Sequence, residues 1–192
     1  MTGRLYAEAL AYAARAHAGQ NRKGTPLPYI THPVAVSALV LEHGGDEEQA
    51  AAALLHDVVE DCGAAHLAEI RNRFGPRVAL IVEGCTDGVA GADGRKPPWR
   101  ERKQAYLRHL DDAPDDVIFV AACDKLHNAR SIVADAEAGA DVFARFTAGR
   151  DGTLWYYHAL AEGLSVRLRE RRPLSAALDA AVERMTELAA LG

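Results

Sequence analysis

Four side chains that can bind metals or exchange protons lie within one stretch, residues 46–63 (DEEQAAAALLHDVVEDCG). His56 and Glu60 are four residues apart, as are Asp57 and Asp61, so each pair lies on one face of a helix with about 3.6 residues per turn. Leucines and valines fill most of the remaining circumference, which predicts a largely buried helix. Buried carboxylates need a partner or a cation, so this pattern predicts a cation site. The alternative is a polar arc that faces solvent on an ordinary surface helix.

The residues at the two ends of this stretch predict one continuous helix over 46–63. Asp46 with Gln49 three residues later has the pattern of a capping box, and Gly63 is a typical stop signal. The four polar side chains would therefore follow one another along a single element, one turn apart.

Two residues outside this stretch can complete a metal site. His32 precedes Pro33, which is expected in the first turn of a helix over 33–43, so His32 should lie just outside that helix. Asp124 ends a nearly apolar run, 117–123, which predicts a core helix. A buried Asp at that point either ligates a metal or pairs with an arginine.

The residues that follow Asp124 are expected to divide between two faces of the helix. Asn128 lies one turn later and shares the face of Asp124. Lys125 and His127 should project away from this face towards solvent.

The candidate ligands are two imidazoles and two carboxylates, and no thiolate is among them: His32, His56, Asp57 and Asp124. Such a mixed nitrogen and oxygen set suits Mn, Fe, Zn, Co or Ni. The three cysteines form no CxxC pair, which argues against a thiolate zinc site and against a disulfide framework. They are expected to be core thiols in a reducing cytosol.

The elements that must position these residues are predicted to be helices. Further helical periodicity covers residues 2–18, 147–171 and 173–191, and no convincing strand alternation appears. His17, near the end of the first helix, is assigned a structural role at the helix terminus. With no repeat, linker or low-complexity segment, residues 1–192 are expected to form one all-α domain.

Composition limits the classes of partner. The chain has 192 residues, 49% hydrophobic and 26% charged, which is typical of a globular protein. Its formal net charge of -5 argues against a nucleic-acid partner held by general electrostatics. The N-terminus has no signal-like apolar segment, and no apolar run reaches the roughly 18 residues of a membrane span. A cytoplasmic protein without a membrane partner is expected, and the oligomeric state stays open.

Local basic clusters can still bind a small anion. Arg22 and Lys23, in a loop rich in Gly and Pro, can supply two cations to a phosphate, although a solvated loop would look the same. The stretch from Lys96 through Arg102 and Lys103 is a second candidate, with a solvated amphipathic helix as its alternative. Tyr156 can reach a ligand or pack in the core.

The order H…HD…D resembles the HD-domain metal phosphohydrolases. The surrounding segments HAGQNRKGTPLPYITHP, LLHDVVED, FGPRVALIVEGCTD and DKLHNAR narrow the resemblance to the hydrolase domain of RelA/SpoT-type enzymes. The strong resemblance covers residues 17–130, while the helices in 147–191 would complete the bundle. With no synthetase or regulatory domain, the chain is similar to a stand-alone small alarmone hydrolase.

This resemblance implies an all-α HD-type helical bundle and a role for each matching residue. It implies Mn(II) ligands at His32, His56, Asp57 and Asp124, a catalytic acidic pair at Glu60 and Asp61, nucleotide-pocket residues at Arg22 and Lys23, and a ribose contact at Asn128. The family often has Arg where this chain has Lys125, and the loop between Lys23 and Tyr29 also differs.

The chemistry expected of this set is phosphate-ester hydrolysis. A divalent metal lowers the pKa of a bound water from about 15.7 towards about 7 and polarises a phosphoryl oxygen. Glu60, one turn from His56, can accept the proton of the water, and Asp61 can assist. The predicted reaction removes the 3′-pyrophosphate of ppGpp or pppGpp. Adenine alarmones such as pppApp, or the 2′-phosphate of NADPH, are alternative substrates, and a non-catalytic nucleotide sensor is an alternative of another class.

Overall fold

The structure is a computed structural model that describes residues 3–88 and 97–191. Its α-helices are α1 (Arg4–Ala16), α2 (Thr31–Glu42), α3 (Glu47–Leu55), α4 (Val58–Cys62), α5 (His66–Phe74), α6 (Pro76–Cys85), α7 (Trp99–Asp112), α8 (Asp115–Glu137), α9 (Gly149–Arg167) and α10 (Arg172–Leu191). Short 3-10 helices occupy Phe143–Arg145 and Arg169–Arg171. No strand forms within these two ranges, where Asn21 and Pro28 make an isolated bridge. The predicted all-α fold class is confirmed.

Helix α8 is the centre of the bundle. It packs against α2, α3, α6, α9 and α10. Every residue from 117 to 126 is buried, because the run VIFVAAC is apolar around its whole circumference. Asp124 is therefore carried into the interior by its own helix.

Small residues allow the helices around α8 to approach closely. In α3, residues 50–53 are alanines with no exposed surface, and this helix packs against α1 and α2. On α6, a Cβ atom at Gly84 would lie 2.6 Å from Cγ2 of Val117, so α6 touches α8 where only glycine fits. These close contacts hold α3, which leads directly into His56 and Asp57, and α8, which carries Asp124, in one rigid core.

The helix predicted over 46–63 is wrong in one respect, because it is interrupted. The capping box of Asp46 and Gln49 forms, and Gly63 follows the last residue of α4. Between the two helices, His56 and Asp57 form a turn, where Asp57 has ψ -8°. Neighbouring residues on a regular helix point about 100° apart, whereas this turn lets both side chains reach the same place.

Other predicted boundaries also shift. The second helix begins at Thr31, so His32 lies inside its first turn, not before it. The helix expected over 147–171 ends at Arg167 and is followed by the short 3-10 helix. No helix formed by the described residues is both long and apolar enough to cross a membrane.

Candidate metal centre

The side chains of His32, His56 and Asp124 meet in the interior. All three are buried, and one possible ligand atom from each lies within 4.8 Å of the others. The Nε2 atoms of His32 and His56 lie 3.1 and 3.5 Å from Oδ1 of Asp124. Three helical segments far apart in sequence therefore place nitrogen and oxygen donors around one point.

Asp57 lies beside this group. Its Oδ2 atom is 3.3 Å from Nε2 of His32 and 3.1 Å from Nε2 of His56, and its side chain is partly exposed. The four residues predicted as ligands are thus brought together, with Asp57 on the side nearer to solvent.

The hydrogen bonds of His56 prepare one nitrogen for a cation. Its Nδ1 atom is 2.7 Å from the carbonyl oxygen of Ala53, which can only accept, so Nδ1 carries the proton. Its Nε2 atom is buried without a hydrogen-bond partner in the described part of the chain. An imidazole that is hydrogen-bonded through one nitrogen, while its other nitrogen has no hydrogen-bond donor or acceptor partner, is typical of a metal ligand. The residues present therefore fit a divalent cation.

A second histidine orients His32 in a similar way. Nδ1 of His32 lies 2.8 Å from Nδ1 of His127. Burial and the neighbouring His32 lower the pKa of His127 to about 4, so His127 is neutral at pH 7 and can accept this hydrogen bond. Nε2 of His32 is then left facing Asp57 and Asp124. His127 was expected to project into solvent, and that prediction is wrong.

The cluster needs positive charge. Burial favours the neutral forms of Asp57 and Asp124, but the adjacent imidazoles of His56 and His32, and Lys125 beside Asp124, outweigh it and lower the pKa of both carboxyls. In the same way, the two carboxylates outweigh the burial of His56 and raise its pKa. Protons on the imidazoles or a bound cation can supply this charge, and a cation leaves both histidines neutral.

Asp124 is fixed by two polar neighbours, one of which is itself held by Arg22. Its Oδ2 atom accepts from Nζ of Lys125 at 2.6 Å, and its Oδ1 atom accepts from Nδ2 of Asn128 at 2.6 Å. Oδ1 of Asn128 in turn accepts from Nη2 of Arg22 at 2.7 Å. Lys125 is buried, with its Nζ over the ring of Tyr106, so the predicted exposure of Lys125 is wrong. The physical reason is that the buried carboxylate of Asp124 needs a cationic partner, and Lys125 supplies it.

The acidic pair lies on α4, which begins directly after Asp57. Oε2 of Glu60 accepts a hydrogen bond from the backbone N–H of Asp87 at 3.2 Å. Partial desolvation and the charge of Asp57 raise the pKa of Asp61. The hydroxyl of Tyr29 donates to Oδ2 of Asp57 at 2.6 Å, so Tyr29 connects the loop before α2 to the candidate ligands.

The predicted substrate contacts occupy different environments. Lys23 is exposed, with its Nζ 6.0 Å from the centre of the Phe146 ring. Lys103 is largely buried, binds Oδ2 of Asp87 and lies 4.6 Å from the ring centre of Tyr156.

Arg102 and Tyr156, two further predicted contacts, face inward. Arg102 donates to the carbonyl oxygen of Asp87 at 2.9 Å. Tyr156 is buried, and its hydroxyl has no hydrogen-bond partner among the described residues. Lys96 lies outside the described residues.

Four residues at the site were missed as functional candidates: Tyr29, Asp87, Lys125 and His127. His127 could have been found, because it is three residues from Asp124 and therefore shares its face. Tyr29 lies three residues before His32 and carries a polar tip on an apolar ring, which is a weaker signal. Asp87 ends the segment FGPRVALIVEGCTD, which carries part of the family resemblance, but the sequence does not indicate its contacts, because its side-chain partners come from α7.

The chain is similar in sequence to proteins of known family. A profile of the HD domain matches residues 9–154. In Synechocystis sp., a protein named as a probable guanosine-3′,5′-bis(diphosphate) 3′-pyrophosphohydrolase is 35% identical over 175 residues, covering 86% of this chain but 22% of the relative. MESH1 of Xenopus tropicalis, named as a hydrolase of the same kind, is 37% identical over 131 residues, which is 67% of this chain and 69% of MESH1. The chain therefore spans a small part of the first relative and most of the second.

Two solved structures have the same fold. A metazoan orthologue of SpoT, described as hydrolysing ppGpp and acting in starvation responses, superposes with a TM-score of 0.76 at 26% identity, over 94% of this chain and 95% of that one. The lmo0812 protein of Listeria monocytogenes EGD-e superposes with a TM-score of 0.69 at 28% identity, over 84% of this chain and 99% of that one.

Proposed function

Because this chain belongs to the HD-domain family, we propose that it is a metal-dependent hydrolase that removes the 3′-pyrophosphate of ppGpp or pppGpp. The products would be GDP or GTP and pyrophosphate. The observation that carries this proposal is the meeting of His32, His56 and Asp124 around one point, with Asp57 beside them. The names of MESH1 and the metazoan SpoT orthologue supply the substrate class.

The four residues of this cluster would hold one divalent cation, and Mn(II) is the metal we propose. Two imidazole nitrogens and two carboxylate oxygens suit Mn(II) as well as Zn(II) or Fe(II), so the choice of Mn(II) rests on the family resemblance. When bound, the cation makes water more acidic and draws electron density from a phosphoryl oxygen.

Glu60 and Asp61 would manage the attacking water. The N–H of Asp87 fixes the carboxylate of Glu60, which would accept a proton from the water. Asp61 would assist the same water or hold a metal-bound one, and a nearby cation would keep its carboxylate ionised. Each role requires a carboxyl group, and α4 carries both of them directly after the turn formed by His56 and Asp57.

Cations at the edge of the site would bind the substrate phosphates. Arg22 lies over the ring of Tyr29 and reaches Asn128, so its guanidinium is held beside the candidate metal ligands. Lys23 is exposed to solvent, from which a nucleotide would approach. The amide of Asn128, the proposed ribose contact, is hydrogen-bonded to Asp124 and Arg22. Arg102 and Lys103, with Tyr156, would supply further contacts to the substrate. Lys96 stays a prediction.

The decisive experiment incubates the purified chain with Mn(II), with and without chelator, and with ppGpp, pppApp and NADPH in parallel. Release of pyrophosphate from ppGpp that stops with chelator is the expected result. Faster turnover of pppApp or NADPH would replace the substrate but keep the site. No turnover of any of the three, with nucleotide binding retained, would replace the proposal with a non-catalytic sensor. Metal exchange against Zn(II) and Co(II) in the same assay tests the choice of Mn(II).

Three further features stay predictions. They are a single domain over residues 1–192, a cytoplasmic location, and a small nucleotide as the partner in place of nucleic acid or membrane. Their basis is the sequence, and the assay above tests only the nucleotide.

A further inference from the structure

Asp87 is buried in the segment that follows α6, two residues after its end, and three residues contact it. Its side chain binds Nζ of Lys103, and its Oδ1 lies 3.6 Å from Nη1 of Arg102. The same guanidinium donates to the carbonyl oxygen of Asp87. The N–H of Asp87 donates to Oε2 of Glu60. One residue therefore contacts both the acidic pair on α4 and the basic face of α7.

The pairing of Asp87 with Lys103 parallels the pairing of Asp124 with Lys125. In each case a buried ammonium lies over an aromatic ring, Tyr156 for Lys103 and Tyr106 for Lys125, and binds one carboxylate. Burial and the nearby Lys125 disfavour the charged form of Lys103 and lower its pKa, whereas Asp87 opposes this change. Asp87 therefore keeps an ammonium charged and in place inside the protein.

We propose that Asp87 is a positioning residue that fixes Lys103 and Arg102 relative to Glu60. In this arrangement the two cations bind the charged pyrophosphate while the carboxylate of Glu60 contacts the attacking water. This inference rests on the proposed function, since it gives Lys103 and Arg102 a pyrophosphate to bind. Asp87 itself touches no substrate: its backbone orients Glu60, and its side chain orients the cations. Reacting groups held out of position by about 1 Å can lose about 100-fold in rate.

The test compares Asp87→Asn with wild type in three measurements. These are the affinity for Mn(II), the affinity of the Mn(II)-loaded protein for inorganic pyrophosphate, and kcat and KM for ppGpp. We expect Asp87→Asn to bind pyrophosphate about tenfold more weakly and to lose about 10- to 100-fold in kcat, with Mn(II) affinity unchanged. The matched control is Asp112→Asn, which removes the same charge from an exposed position on α7 and should change none of them.

Several results would overturn the inference. They are unchanged or tighter pyrophosphate binding by Asp87→Asn, parallel loss of Mn(II) and pyrophosphate binding, and a wild-type protein that binds no pyrophosphate. If Asp87→Asn does not fold, Asp87→Glu decides, because it keeps the charge and moves it by one methylene: positioning requires weaker pyrophosphate binding with normal Mn(II) affinity. A wild-type protein that binds pyrophosphate, with this binding weakened in Asp87→Asn, but that does not hydrolyse ppGpp would refute the proposed function and leave the inference standing.

Discussion

The hydroxyl of Tyr29 donates a hydrogen bond to Oδ2 of Asp57 at 2.6 Å, and the two residues are 28 positions apart in the sequence. The bond fixes the carboxylate of Asp57 where both imidazole Nε2 atoms can face it. Burial and the charge of Asp57 raise the pKa of Tyr29, so its hydroxyl keeps the proton that it donates. Tyr29 therefore orients a candidate metal ligand and is not itself one of the four candidate ligands.

Replacing Tyr29 by Phe should weaken Mn(II) binding about tenfold, because partners of metal ligands commonly contribute 10- to 100-fold, roughly, to affinity. Isothermal titration of the metal-free protein measures the change. Tyr12→Phe is the matched control, since the Tyr12 hydroxyl donates to Glu69 at 2.8 Å and has no contact with the cluster. Wild-type Mn(II) affinity in Tyr29→Phe would show that Asp57 does not depend on this hydrogen bond.

Asp57→Ala and Glu60→Gln should separate metal binding from turnover. Loss of the Asp57 carboxylate removes a candidate ligand and should abolish both. Glu60→Gln keeps the four candidate ligands and should retain Mn(II) while kcat falls about 10²- to 10⁴-fold, as expected for loss of a general base. Metal content and ppGpp turnover of the same preparations provide the measurement. Full activity of Glu60→Gln would mean that another group accepts the proton.

Lys125→Met should destabilise the metal-free protein more than the metal-loaded one. The substitution leaves the buried Asp124 without its ammonium partner, and breaking a buried pair costs about 3–5 kcal/mol. A bound cation can replace part of the lost charge, so the difference in Tm from wild type should shrink at saturating Mn(II). Lys125→Arg, which keeps the charge, should lie closer to wild type. Equal differences with and without Mn(II) would indicate that Asp124 does not face the metal.

Arg77 should contribute to stability at neutral pH and not in acid. It binds Asp116 through two nitrogens, at 2.8 and 3.0 Å, and these hydrogen bonds lower the pKa of Asp116 below that of an unfolded chain. The contribution is therefore present above about pH 4 and is lost as the pH falls through the folded-state pKa. Arg77→Met should lose about 1 kcal/mol at pH 7, because the pair is partly exposed.

Urea unfolding at pH 7 and at about pH 2.5 measures this difference. The gap between wild type and Arg77→Met should narrow in acid. Arg4→Met removes the same charge from an exposed pair with Glu8 and should not change stability at either pH. An equal gap at both pH values would assign the effect of Arg77 to packing.

Gly84→Ala and Gly163→Ala should have opposite effects. A Cβ at Gly84 would meet Val117 at 2.6 Å and force α6 away from α8, at a cost of about 1–3 kcal/mol. A Cβ at Gly163, on the exposed face of α9, would meet nothing within 4 Å and should stabilise the helix by about 0.5–1 kcal/mol. Thermal unfolding of the two variants tests both signs. A neutral Gly84→Ala would mean that the contact between α6 and α8 adapts.

Much of the fold and of the candidate centre can be read from local pattern. The apolar run before Asp124 predicts a core helix, and Asp46 with Gln49 predicts a capping box at the start of α3; both form. Both are properties of a helix, whose geometry repeats every three to four residues and depends on neighbours in sequence. The all-α class follows from the same periodicity. The break in the helix at His56 and Asp57 cannot be predicted from this periodicity, because a short turn within a helix-forming stretch leaves no distinct sequence pattern.

The partners of the charged residues depend instead on packing. Lys125 and Lys103 look like surface lysines in the sequence, yet both are paired inside the protein, with Asp124 and Asp87. Arg22 reaches Asn128 across 106 positions of sequence. Residue types and helical spacing thus identify the metal-binding chemistry and its candidate ligands, since these are local properties. Which carboxylate each cation neutralises is decided only when α4, α6, α7 and α8 pack together, because such a pairing depends on contacts between distant segments.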